Sequence, residues 1–147
     1  MSDEGVRRAN DLLSGLIGRR ITSLDKGEFQ LRLVFGQNVC FVALSAWRML
    51  QDGRFLLGSG DVQGSKPLAE EMNCLKGLKV VSTTVLSSWE TKLVFDNDYV
   101  FELIPDSVRY ETWEAHLEVG QAIFSGGEIT LFPPAPKASK PGTAEVL

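Results

Sequence analysis

His116 is the only histidine among 147 residues, and it lies in an acidic stretch with Glu111, Glu114 and Glu118. On a strand, Glu114 and Glu118 would share its face; on a helix, Glu111 and Glu114 would share its turn. An imidazole beside carboxylates can hold a metal ion or move a proton. A transition-metal site ordinarily wants more nitrogen or sulfur donors than one histidine supplies. The sequence therefore predicts no metal centre and no cofactor, and a solvated or hydrogen-bonded His116. Cys40 and Cys74 show no CxxC spacing, and both stand among apolar residues, so small buried thiols are expected. A Cys–His nucleophile would have to recruit His116, and nothing in the sequence requires the two to meet.

The remaining constellations have structural explanations. Gly58-Ser59-Gly60 has neither the Lys-Ser/Thr of a phosphate loop nor the first glycine of a nucleophile elbow, where Leu57 stands instead. Glu70-Glu71 fall early in an expected helix, and Asp96 and Asp98 fall in an expected turn. No catalytic residue is assigned, and an enzyme built on His116 and carboxylates ranks third among the functional readings. Trp47, Trp89 and Trp113 are the other notable side chains. Tryptophan fills cores and also anchors interfaces. Trp47 and Trp113, with Glu111, Glu114 and Glu118, are the candidate binding residues.

The elements that would position these groups are written twice. Residues 16–44, LIGRRITSLDKGEFQLRLVFGQNVCFVAL, correspond to residues 75–103, LKGLKVVSTTVLSSWETKLVFDNDYVFEL. Leu16 and Gly18 match Leu75 and Gly77. One inserted residue later, Leu33, Val34, Phe35 and Phe41 match Leu93, Val94, Phe95 and Phe101. Trp47, the Asp52-Gly53 turn and the strand Arg54–Leu57 are echoed by Trp113, Gly120 and the segment 121–124. Val6, Ala9, Leu12, Leu13, Leu16 and Ile17 make one apolar stripe at helical spacing, which predicts a helix over about 3–15. Leu68, Met72 and Leu75 predict a second helix entered at Ser65-Lys66-Pro67. Between them, strands are expected near Ile21, at 29–35, 39–44 and 54–57, and again at 80–86, 89–95 and 99–104. A final hairpin joins 121–124 to 128–132 through Ser125-Gly126-Gly127.

The expected fold is one α+β domain over residues 1–132. It contains two tandem helix-plus-β-meander repeats, about 3–60 and 65–132, whose strands form one or two mostly antiparallel sheets. Residues 133–147 hold four of the six prolines and are expected to be a flexible Pro-rich tail.

Charge narrows the partners. The net charge is −4, but residues 1–60 carry eight Lys/Arg against six Asp/Glu, and residues 61–147 carry seven against thirteen. Within 96–118 seven acids face only Arg109. Such a field disfavours nucleic acid and membrane phosphates and favours a basic protein. Arg7-Arg8 and Arg19-Arg20 are too few for a nucleic-acid surface. No apolar run reaches the ~20 residues of a membrane span. The N-terminal residues do not read as a signal peptide. With two cysteines in apolar settings, a cytoplasmic location is expected.

The order Leu-x-Gly, alternating strand to Phe, Trp, Asp-Gly and a late Gly-Gly hairpin resembles small uncharacterised bacterial β-rich domains over residues 12–132. Some of those domains occur as immunity partners in toxin systems. The acidic run 96–118 and the lack of a catalytic constellation predict a non-enzymatic binding protein, and the resemblance implies its specific form, an immunity protein that neutralises a basic toxin. The alternative is a small-ligand-binding β domain with a pocket between the repeats, lined by Trp47, Phe55, Trp113 and Phe124. Homo-oligomerisation through an exposed strand edge is a further option.

Overall fold

The structure, a computed structural model, describes residues 4–27, 30–61, 70–105 and 111–134. One helix, α1 (Glu4–Leu13), precedes eleven strands. These are β1 (Ser23–Lys26), β2 (Leu31–Val34), β3 (Cys40–Ala43), β4 (Ala46–Gln51), β5 (Arg54–Gly58), β6 (Val80–Val85), β7 (Thr91–Phe95), β8 (Tyr99–Ile104), β9 (Glu111–Leu117), β10 (Gly120–Ser125) and β11 (Glu128–Phe132). They make two antiparallel sheets, with strand orders β1-β2-β3-β9-β10-β11 and β5-β4-β8-β7-β6.

Alternation explains which side of each strand is buried. Leu31 and Leu33 are fully buried while Arg32 and Val34 are half-buried, as a strand with one face on a core requires. Cross-strand partners point to the same side. Leu33 opposite Phe41 and Leu93 opposite Phe101 therefore place four inward side chains at equivalent positions of the two sheets. The inward residues of both sheets form one continuous core, so the sheets face each other across it.

The registers of β2–β3 and β7–β8 correspond residue for residue at a spacing of 60. The segments before β1 and β6 go further and pair with each other. Gly18 N–H donates to Val80 O and Gly77 N–H to Ile21 O, both at 2.8 Å. Ile21 N–H donates to Leu78 O at 3.0 Å and Val80 N–H to Arg19 O at 2.9 Å. Exchanging one segment for the other maps this set of four bonds onto itself, about the antiparallel bridge Arg20–Lys79. Gly18 and Gly77 both take positive φ, 91° and 88°, a conformation that glycine adopts without strain.

Three expectations are corrected. The halves do not form separate meanders: β4 and β5 join the sheet of β6–β8, and β9–β11 join the sheet of β1–β3. The tryptophan segments are themselves strands, β4 and β9, and carry these cross-half pairings. The second helix is a short 3-10 segment, Glu70–Leu75, that buries Met72 and Leu75; its expected start at Ser65-Lys66-Pro67 lies outside the described residues, as do residues 135–147.

The helix stripe is inward at Ala9, Leu13 and Leu16, but the 3-10 turn Ser14–Leu16 swings the chain and leaves Ile17 exposed. α1 packs along β11 and β6, one edge strand from each sheet. At β6 the fit is polar. Asn10 Nδ2 donates to Val85 O at 2.9 Å, and Val85 N–H donates to Asn10 Oδ1 at 2.8 Å. The amide thus occupies backbone groups that the edge strand would otherwise leave unpaired. At β11, Gly5 lies so close to Gly127 O that no Cβ would fit.

Candidate functional site

The candidate binding residues scatter. Trp113 is fully buried, stacks on Phe124 at 5.3 Å and meets Phe41 at 5.5 Å. Its indole N–H donates to Thr91 Oγ1 at 3.0 Å, tying β9 to β7 across the core. Trp47 is buried against Phe101 at 5.2 Å. Both tryptophans are core residues, because β4 and β9 point them at the facing sheet. Phe55 is 64% exposed on the edge strand β5, so the four aromatic residues do not line a common pocket.

The acids scatter too, because β8 and β9 belong to different sheets. Glu102 is buried between Arg48 Nε at 2.6 Å and Lys92 Nζ at 3.5 Å. Asp96 accepts the backbone N–H of Lys79 at 3.1 Å. Glu118 receives Arg19 Nη2 on both oxygens at 2.8 and 2.9 Å, and the backbone and that guanidinium hold its carboxyl below the ordinary range. Glu111 is exposed at the start of β9. Asp106 and Arg109 lie outside the described residues.

Two grooves remain. The first is apolar, about 490 Å³. Leu12 and Gly15 of the α1 end form one wall; Leu117, Val119, Ile129 and Leu131 form the other, with Arg8, Asp11 and Glu118 at the rim. Val119 is 56% and Leu131 42% exposed.

The second groove, about 410 Å³, lies on the outer face of the β1–β2–β3–β9 sheet. The register builds it. Arg32, Val42 and Glu114 form one cross-strand row, and Val34, Cys40, His116 and Gln121 form the next. The alternate residues Leu33, Phe41 and Ala115 point into the core, so both rows face outward. Cys40 and His116 thus stand directly opposite each other, a meeting no local pattern could announce. His116 Nε2 lies 3.0 Å from Glu114 Oε2, which also accepts Gln121 Nε2 at 2.6 Å. Glu114 and His116 do share a strand face, while Glu118 turns to Arg19.

No side-chain hydrogen bond joins the thiol to the imidazole. Burial pushes the Cys40 thiol up, against the pull of the Arg32 guanidinium, so less thiolate is present at neutral pH. Cys74, expected to be buried, is exposed. Iodoacetamide near neutral pH should therefore alkylate Cys74 before Cys40, with the two rates converging in urea; peptide mass spectrometry checks the order, and equal native rates would contradict it.

Among the described residues, no group of three or more His, Cys, Asp or Glu side chains is placed to hold a metal ion, and no helix is long and apolar enough to cross a membrane. No family model, curated protein or solved structure matches the chain.

Proposed function

We propose that the protein is a non-enzymatic binding protein that captures an apolar anchor of a partner protein in the groove between α1 and the β9–β11 strands. The observation that carries this reading is the groove itself: five aliphatic side chains line it, two of them substantially exposed, on a rigid seat of helix and strand. Exposed apolar surface in a concave, polar-rimmed setting marks interaction sites more often than chance placement does. Asp11 at the rim and the net charge of −4 favour an anchor flanked by basic residues, whereas Glu118 is already held by Arg19. Neutralisation of a basic bacterial toxin is the specific form of this reading. A cytoplasmic location goes with it, since Cys40 and Cys74 are both thiols.

The scaffold fits an origin in two tandem helix-plus-meander copies that exchanged their last strands. The matched registers, the paired Gly18 and Gly77 segments and the paired ring contacts Phe41–Trp113 and Phe101–Trp47 support it. Exchange places the second copy's β9–β11 beside α1, and that is where the groove forms.

The test is affinity capture from the source cell followed by calorimetry with the captured partner. Leu131→Glu, which melts normally in a control scan, is expected to weaken binding at least ten-fold. Arg54→Glu, on the far edge strand β5, should leave it unchanged. A partner bound equally by wild type and Leu131→Glu would remove the groove from the function.

A further inference from the structure

The second groove carries an inference independent of partner docking. Corresponding rows on the outer faces of the two sheets differ in how their charges are met. On the sheet of β4–β8, the row Lys92, Glu102, Arg48 closes its charges, with Glu102 buried between two cations. In the row Arg32, Val42, Glu114, the central buried position is Val42, so Arg32 has no carboxylate on its β3 side, and its neighbour on the other side is Asp25 of β1. Glu114 is engaged with His116 and Gln121 instead. Among the described residues, Arg32 has neither an ion pair nor a side-chain hydrogen bond, and neither does Asp25, although the two are cross-strand partners. Both line the groove. The next row likewise replaces the apolar Val100 and Leu50 of the other sheet with Cys40 and His116.

A half-buried guanidinium, an exposed carboxylate on the neighbouring strand and an apolar wall from Val34 thus border one polar cleft. We propose that this groove binds a small zwitterion of the α-amino-acid class, with its carboxylate on Arg32, its ammonium on Asp25 and its side chain against Val34. Arginine offers a planar pair of donors suited to a carboxylate, and Asp25 accepts only from a donor, so the cleft selects a ligand carrying both charges. The groove's size suits a metabolite and not a peptide strand.

The experiment uses the full chain and its single histidine. The His116 ring resonances, unique in a proton spectrum, are followed while L-valine is added, with acetate and propylamine as half-ligand probes at matched ionic strength. Saturable movement with L-valine is expected, with acetate and propylamine each at least ten-fold weaker, since each lacks one of the two charge-assisted contacts. Arg32→Gln should weaken valine binding at least ten-fold, and Asp25→Asn should weaken valine but leave acetate unchanged. Arg54→Gln, a surface guanidinium on the other sheet, should do neither. No saturation with any probe, acetate binding as tightly as valine, or full binding by Arg32→Gln would each overturn the proposal.

Discussion

Trp113→Ala is expected to destabilise the fold by about 4 kcal/mol and to lower its melting temperature by about 12 °C, as large-to-small core substitutions do. Three contributions combine at this side chain. It is the largest fully buried residue, and its removal opens a cavity between rigid strands that cannot close on it. It is the central ring of a three-ring set with Phe41 on β3 and Phe124 on β10, so its loss strips both neighbours of their contact. Its N–H to Thr91 also crosses from one sheet to the other. Trp113→Phe separates these terms. It keeps a ring between Phe41 and Phe124 but loses the hydrogen bond, and Thr91 Oγ1 still donates to Trp89 O at 3.2 Å. A cost of about 1–2 kcal/mol is expected for that variant. Denaturant titration measures both. Near-equal losses for Ala and Phe would show that the inter-sheet hydrogen bond, and not ring packing, carries the energy.

That one tryptophan ties so much together bears on what the sequence could disclose. Local alternation was legible: Leu31, Arg32 and Leu33 read as a half-buried strand, and Tyr99–Ile104 was found with its ends in place. Turn chemistry was legible at Gly36–Asn38, Asp52-Gly53 and Gly126-Gly127, where positive φ demands such residues. The internal correspondence of Leu16–Leu44 with residues 75–103 was also visible; the registers of β2–β3 and β7–β8 and the positive φ of Gly18 and Gly77 match, while the turns at 36–38 and 96–98 differ. What escaped was long-range. Which strand lies beside β3 depends on a pairing across some seventy residues, and no local period encodes it. The outward rows, the opposition of Cys40 and His116, and the dispersal of the 96–118 acids onto two sheets all follow from that pairing. Glu102 and Glu118, counted as parts of a negative surface, are each satisfied by cations from distant segments. Asn10 escaped for a different reason. A polar residue on a helix reads as solvent-facing, and only the edge of β6 explains its half-burial.

Gly120→Ala is the second substitution with a large expected effect, about 3–4 kcal/mol, and it acts through backbone alone. Gly120 opens β10 after the Glu118-Val119 turn with φ +129°, a conformation nearly closed to residues with a Cβ. A Cβ there would also collide with the carbonyl oxygen of Phe132, at the point where β11 leaves its pairing with β10. Gly36→Ala supplies the control. Its φ of +117° imposes similar strain, but nothing lies within 4 Å of its Cβ position, so about 1–3 kcal/mol is expected there. The difference between the two measures how firmly β11 is held against β10. Backbone amide exchange adds a spatial readout. In Gly120→Ala, protection should fall along β11, and because Ile129 and Leu131 form a wall of the apolar groove, partner affinity should fall with it while L-valine binding on the outer sheet face persists. Equal costs at Gly36 and Gly120 with unchanged exchange at β11 would mean that the strand yields freely, and the groove would then lack the rigid wall that capture of an apolar anchor requires.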